Sequence, residues 1–200
     1  MKHFILYIFL LFSVSLNYCQ EPEMYTNPVE QDAAPILFLG TGTGINNFNA
    51  LLGIFVEGNV VHNFTLAGGF GIGDWGYKAA VAARYYRHYP YKVFYGLGFS
   101  SASGIRNIEL ELYTEPSGEA ELVELNLRRA NALNLTLGYQ FKVFKKSRIY
   151  LEFGYGIRLQ RTPYEVVTPN VQLDEISIQT LDMMVPGGFI FGVGFSRGFK

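Results

Sequence analysis

The chain closes with Gly187-Gly188-Phe189-Ile190-Phe191-Gly192-Val193-Gly194-Phe195-Ser196-Arg197-Gly198-Phe199-Lys200, a stretch in which bulky and tiny side chains alternate. In a β-strand one face of this stretch is apolar and aromatic, and the other is nearly empty. Glycine weakens a strand in a water-soluble sheet because it offers nothing to pack. In a small transmembrane barrel the large side chains face lipid, and glycines fit the crowded lumen. The stretch therefore predicts a membrane-spanning strand.

The composition supports the same prediction. The 200 residues are 49% hydrophobic and 16% aromatic, a length that suits one domain. After the first twenty residues, no apolar run approaches the ~18 residues that a membrane helix needs, which excludes a helical membrane protein. The glycine, tyrosine and phenylalanine content is typical of strands with aromatic girdles. A net charge of −1 without a clustered basic face predicts no nucleic-acid partner.

The N-terminal region has the pattern of a secretory signal. A charged start, Met1-Lys2-His3, precedes an apolar core of the usual length. We expect cleavage after Cys19, which divides the chain into a signal peptide (residues 1–19), a flexible acidic periplasmic tail (20–34) and a barrel (35–200). The alternative is a lipoprotein in which Cys19 is retained and acylated. Cys19 is the only cysteine, so no internal disulfide is expected.

Eight segments with alternating side chains follow the tail. They cover about 36–44, 48–58, 64–73, 77–87, a run from 93, 133–143, 149–160 and 187–200. The connections after the second, fourth and sixth segments are short and lie at one end of the predicted barrel. The third and fourth loops at the other end (104–129 and 162–187) are long. Short periplasmic turns and long external loops are typical of outer-membrane barrels. The prediction is an all-β, eight-stranded antiparallel up-and-down transmembrane β-barrel with both termini in the periplasm.

A water-soluble barrel of lipocalin type is the alternative fold. Its bulky side chains would point inward around a ligand. Its outer face would then consist of glycine, alanine, threonine and asparagine, which are poor strand formers in such a position. The predicted signal segment and the loop asymmetry favour the membrane barrel instead.

From about residue 35 onward the pattern resembles the small Gram-negative outer-membrane barrels of the OmpX/OmpA or porin-family type, particularly those of Bacteroidetes. In such families an aromatic residue ends the last strand and is read by the barrel-assembly machinery. Here Phe199 is penultimate, and Arg197 stands where a second aromatic residue is common. The resemblance implies an outer-membrane location, and the barrel-assembly machinery and outer-membrane lipid as partners.

Several ionic residues fall on the inward, small-or-polar parity. Charges of opposite sign in a narrow lumen should pair, because an unpaired buried charge costs several kcal/mol. We expect Glu152 to bond Lys142 or Arg84. The predicted lumen charge network comprises Glu57, Arg84, Lys142, Glu152 and Arg158. It would close the bore to all but water or small ions, and the alternative is a gated, charge-lined pathway.

Two arginines are expected at the external rim on the lipid-facing parity. Counting residues on both sides of the turn near Lys146 places Arg129 nearly opposite Arg161. Guanidinium groups suit bidentate phosphate binding. We therefore expect both to contact lipopolysaccharide phosphates. The alternative is a pair of solvated rim charges.

The long external loops are acidic, and two stretches of the third loop, 108–112 and 122–127, alternate like strands. They predict a hairpin that protrudes beyond the membrane, whose edge could add strands to a protein partner at loops 3 and 4. No calcium-loop spacing is present, so no metal site is predicted. No cofactor and no catalytic residue is predicted either, because His62 and His88 fall in periplasmic turns, away from any external-leaflet chemistry.

Together these observations predict a non-enzymatic integral outer-membrane barrel that acts in envelope integrity or in surface interaction through its long external loops. A narrow channel for small solutes is one alternative function. An accessory subunit of an outer-membrane secretion or assembly complex is the other.

Overall fold

A computed structural model describes residues 37–61, 63–87, 92–116, 118–144 and 146–199. The predicted signal peptide, the acidic tail and Cys19 lie outside these residues. The division of the N-terminal region therefore stays a prediction.

The regular secondary structure of the described residues consists of β-strands and one helix. The strands are β1 (Leu37–Ile45), β2 (Leu52–Val61), β3 (Phe64–Gly73), β4 (Gly76–Tyr86), β5 (Val93–Ala102), β6 (Ile105–Glu115), β7 (Ala120–Leu127), β8 (Ala130–Phe144), β9 (Ser147–Arg158), β10 (Tyr164–Val166), β11 (Gln172–Leu173) and β12 (Gly188–Phe199). The helix is α1 (Glu175–Met184). No helix in the described part of the chain is long and apolar enough to cross a membrane.

Eight of the strands form a closed antiparallel barrel in the order β1-β12-β9-β8-β5-β4-β3-β2. The first and last strands close it, with Leu37 opposite Phe199 and Ile45 opposite Phe191. The predicted eight-stranded antiparallel up-and-down barrel is confirmed.

The orientation of the barrel side chains is also the predicted one. Leu135 and Phe153 on the outer wall are 52% and 45% exposed. The opposite parity, which includes most of the strand glycines, faces the lumen. The lipocalin-like alternative required the reverse arrangement, so the structure excludes it.

Outside the barrel, β6 and β7 form the hairpin that the third loop predicts. The short strands β10 and β11 join it from the fourth loop to give a sheet in the order β10-β7-β6-β11. We call this sheet together with α1 the external cap. Its helix starts where the Asp174 carboxylate accepts a hydrogen bond from the Ser177 backbone N–H (2.9 Å), a normal N-cap.

The external cap has its own apolar core, built from several connections. Leu112, Val123 and Leu125 of the hairpin pack with Leu181 of α1. Trp75, from the β3–β4 turn, belongs to the same cluster, and its indole Nε1–H donates to the Arg128 carbonyl (2.8 Å). The cap is thus a packed unit attached to the barrel rim rather than a pair of loose loops.

Replacing Leu181 with alanine is expected to loosen the external cap while the barrel persists. Leu181 is fully buried, and truncating such a leucine costs about 2–5 kcal/mol because a cavity remains. Limited proteolysis should then cut within residues 162–187, while the gel-migration shift of the folded barrel remains. Met183→Ala is the control, because Met183 lies on the same helix and is 73% exposed. Equal protease resistance of the Leu181→Ala and Met183→Ala variants would contradict this role of the cap core.

Candidate functional site

The connection between β1 and β2, residues 46–51, enters the barrel lumen. We call it the lumenal loop. The sequence pattern placed Phe48 and Ala50 on the outer face of the second strand, which was wrong: both are buried, and β2 begins only at Leu52. The physical reason is a left-handed backbone at Asn46 (φ 51°) and Ala50 (φ 58°), which interrupts the strand and turns the chain inward.

Hydrogen bonds hold the lumenal loop in place. The Asn46 side chain donates to the Gly187 carbonyl (2.7 Å) and accepts from the Gly187 N–H (3.3 Å). The Lys78 ammonium donates to the Asn46 carbonyl (2.8 Å). Deeper in the lumen, the Asn49 amide donates to the Tyr150 hydroxyl (2.5 Å). The loop is therefore anchored to β4, β9 and the start of β12.

Several lumen-facing glycines make room for this loop. A Cβ at Gly42 or Gly71 would collide with Asn49, and one at Gly192 would collide with Asn47. These residues lie on β1, β3 and β12, so the small parity surrounds the loop from three sides. The glycines thus serve a specific packing purpose in addition to relieving general crowding among eight strands.

Below the lumenal loop, a network of buried charges spans the lumen. Arg84 Nη1 of β4 lies 2.8 Å from Glu57 Oε2 of β2, and Arg84 Nη2 lies 3.3 Å from Glu152 Oε2 of β9. Arg148 Nη2, also from β9, lies 3.0 Å from Glu57 Oε2. The side chains of Arg84 and Glu57 are completely buried. Two guanidinium groups and two carboxylates therefore balance one another across the barrel.

Neutral groups complete the coordination of the Glu57 carboxylate. Its Oε1 accepts hydrogen bonds from the Tyr86 hydroxyl (2.6 Å) and the Thr65 hydroxyl (2.9 Å). The Gln140 side chain links the two sides, since its amide nitrogen donates to the Tyr86 hydroxyl (2.7 Å) and its oxygen accepts from Arg148 Nη1 (2.9 Å). Charged hydrogen bonds of this kind are stronger than neutral ones.

Aromatic rings fill the space around the guanidinium groups. The Arg84 guanidinium carbon lies 4.6 Å from the Phe94 ring centroid and 5.3 Å from that of Phe48 in the lumenal loop. The Arg148 guanidinium carbon lies 3.6 Å from the Phe38 ring centroid. These are cation–π distances, and they connect the lumenal loop directly to the charge network.

The structure brings together three of the residues expected in the network: Glu57, Arg84 and Glu152. Lys142 shares the inward parity of Gln140, but it lies beside a register shift near the end of β8 and is exposed. Arg158 lies near the other end of the barrel, where its Nη2 donates to the Asp182 carbonyl of α1. Arg158 therefore ties the external cap to the barrel, and neither Lys142 nor Arg158 contacts the central carboxylates.

Sequence reasoning did not include Arg148 in the network. The signal that could have found it is parity, because Arg148 shares the inward face of β9 with Tyr150 and Glu152.

The external sheet presents an acidic outer face. Glu109 of β6 lies directly opposite Glu124 of β7, and Glu111 lies opposite Leu122. Like charges placed opposite each other destabilise a sheet, so this face suits a positively charged partner. Clusters of three or more potential metal-ligating side chains are absent from the residues that the structure describes.

One edge of this sheet is open. On the side of β6 that faces away from β7, the strand β11 pairs only with Thr114 and Glu115. Within the described residues, no strand pairs with that side of β6 between Ile105 and Tyr113. The helix α1 does not run along this edge: it starts beside Tyr113 of β6, whereas Leu181 near its end belongs to the apolar cluster with Val123 and Leu125 of β7. Burial and, secondarily, the Asp182 charge raise the pKa of the Tyr164 phenol.

No family model and no curated protein sequence matches the chain. Among solved structures it is similar to CarO and CarO2 of Acinetobacter baumannii, each at 12% sequence identity. The TM-scores are 0.46 and 0.45. The matches cover 82% and 83% of this chain and 98% and 99% of those chains. Similarity of this degree carries no information about function.

Adding a methyl group at Gly71 is expected to destabilise the folded protein. The new Cβ would collide with the Asn49 carbonyl of the lumenal loop, and overpacking of this kind costs about 1–3 kcal/mol. Gly68→Ala on the same strand is the matched control, since its Cβ would point outward with the nearest heavy atom 4.0 Å away. The measurement is the guanidinium midpoint of the detergent-refolded protein. A Gly71→Ala midpoint equal to that of Gly68→Ala would show that the loop does not occupy the lumen.

Removing the Arg84 guanidinium is expected to destabilise the protein more strongly. Arg84→Leu leaves the Glu57 and Glu152 carboxylates without their shared cation, and breaking a buried pair in this way costs about 3–5 kcal/mol. Lys142→Leu deletes a positive charge from an exposed position near the end of β8 and should leave the unfolding midpoint unchanged. Comparable shifts for the two variants would contradict the network described above.

Proposed function

We propose that the chain is a non-enzymatic integral outer-membrane protein whose closed barrel displays the external cap as a surface for a protein partner. The apolar outer wall supports the membrane location, because water-soluble monomers rarely expose contiguous apolar patches of more than a few hundred Å². Each barrel strand contributes a large exposed apolar side chain to this wall: Leu39, Ile54, Leu66, Val81, Leu97, Leu135, Phe153 and Phe195. A closed barrel also leaves no strand edge facing lipid.

Several finer expectations belong to this proposal. The chain is proposed to be related to the OmpX/OmpA type of small Gram-negative barrel, particularly the barrels of Bacteroidetes. The barrel-assembly machinery is proposed to insert it, with both termini in the periplasm. The start of β1 and the end of β12 lie at the barrel rim opposite the external cap. Short turns are typical of the periplasmic rim, so this position supports periplasmic termini.

A filled lumen favours a closed barrel over a channel. The lumenal loop occupies the external half, and the Arg84 network crosses the bore beneath it. Eight-stranded barrels enclose space only for side chains or one small ligand, and here side chains take that space. We therefore assign the function to the external cap rather than to solute passage.

The observation that carries the proposal is the open edge of β6. The Tyr113 N–H donates to Ser177 Oγ and its carbonyl accepts from the Asp174 N–H, so Tyr113 directs its backbone groups away from β7. Alternate residues of a strand direct these groups to the same side. Glu109 and Glu111 therefore present N–H and C=O groups at the open edge, where an extended segment can add as a new strand.

The side chains at this edge select the partner. An added strand would place alternate residues beside Glu109 and Glu111 on the acidic face, where lysine or arginine is favourable. A second copy of β6 would bring its own glutamates to the same place and is disfavoured. We propose a basic, extended segment of another protein as the partner. An accessory role in a larger envelope complex would use this same edge.

A synthetic peptide of alternating lysine and valine tests the proposal. It should bind the detergent-solubilised protein, measured by isothermal titration calorimetry, and a peptide of alternating glutamate and valine should not. Glu111→Gln removes only the charge, whereas Glu111→Pro also removes the edge N–H. Strand addition predicts that Glu111→Pro binds roughly fivefold more weakly than Glu111→Gln, because one hydrogen bond is lost.

Two results would overturn this assignment. Equal binding of the two Glu111 variants would show simple charge attraction without strand addition. Equal binding of the lysine and glutamate peptides would show that the acidic face selects nothing.

A further inference from the structure

The backbone pairing of β8 with β9 continues beyond the ends of the strands at the external rim. The Leu159 N–H donates to the Asn131 carbonyl (3.0 Å), and farther out the Arg128 N–H donates to the Pro163 carbonyl (2.6 Å). Arg129 and Arg161 lie between these two bonds. Their backbones are therefore held across from each other on neighbouring chain segments.

Both arginines are exposed and share the outward parity of the barrel wall. Below them on that parity lie Asn131 and the exposed Leu159, followed by the apolar pair Leu133 and Ile157. At about 3.4 Å per residue, the arginines lie at most roughly 14 Å along the chain from that pair. They stand at the outer boundary of the apolar wall, where lipid headgroups meet water.

The two guanidinium groups are like charges without a carboxylate between them. In the described residues no acidic side chain lies within 4 Å of either group, whereas the neighbouring Arg128 pairs with Glu165 at 2.6 Å. Like charges facing each other across a strand pair are unfavourable. An anion bound between them would remove this repulsion.

We propose that Arg129 and Arg161 together bind a phosphate group of a phosphorylated glycolipid in the outer leaflet. Planar guanidinium groups match phosphate oxygens in bidentate geometry. Arginine stems can lie along an apolar wall while the guanidinium stays in water, and the exposed Leu133, Ile157 and Leu159 offer such a surface, which also suits acyl chains. The apolar side chains of this surface favour a lipid over free phosphate. The inference rests on the proposed membrane location but not on the function of the external cap.

The test compares lipid A that carries its phosphates with lipid A from which the phosphates have been removed enzymatically. Each lipid is added to the detergent-solubilised protein, and native mass spectrometry measures the fraction of protein that retains it. The wild type should retain the phosphorylated lipid roughly tenfold better. The double variant Arg129→Glu/Arg161→Glu should lose this preference. Arg197→Glu is the matched control: an exposed, outward arginine at the opposite rim, where it pairs with Leu39. It should behave like the wild type.

Four outcomes would overturn the inference. Unchanged lipid retention by the double variant would exclude the pair, and an equal loss in Arg197→Glu would show unspecific attraction. Equal retention of the dephosphorylated lipid would exclude phosphate as the recognised group. Complete displacement by an equal concentration of inorganic phosphate would assign the site to free phosphate. The gel-migration shift verifies that each variant is folded. Binding of the lysine–valine peptide by the same variants tests the proposed role of the external cap separately from the lipid site.

Discussion

The Arg84 guanidinium, held between Glu57 and Glu152, is the interaction on which the rest of the barrel depends. It joins three strands across the lumen, and the Arg148 guanidinium balances the second carboxylate charge. Buried ion networks contribute little net free energy compared with well-packed apolar groups, but separating their partners is strongly destabilising. A slip of one residue in any of these strands would turn a charged side chain outward onto the apolar outer wall. The network therefore fixes strand register, which the small, featureless glycine faces alone would define weakly.

The lumenal loop and the glycine rows depend on that register. Asn47 and Asn49 fit only where the facing positions of β1, β3 and β12 lack a side chain. Phe48 then packs against Arg84, so the loop and the charges support each other. The barrel interior is therefore packed in two layers. One layer is the lumenal loop, and the other consists of charged side chains and aromatic rings.

The eight barrel strands and the direction in which their side chains face could be predicted, because alternation with a period of two is a local signal that a single sequence displays. Glu57, Arg84 and Glu152 followed from parity alone. The lumenal loop could not be predicted, because Phe48, Ala50 and Leu52 alternate like a strand and only a left-handed turn redirects them. The helix α1 was missed for a similar reason: Ser177 is buried while Ile176 and Ile178 are exposed, which reverses the usual polarity pattern. In each case tertiary packing overrides the local signal.

The core of the external cap has an immunological consequence. Trp75, Leu125 and Leu181 come from three separate connections between barrel strands, and the folded barrel brings them into one core. Linear peptides copied from either long loop cannot reproduce the surface that this core supports. An antibody that recognises the assembled surface would therefore discriminate folded molecules from unassembled chains, and immunisation would require the intact barrel as antigen.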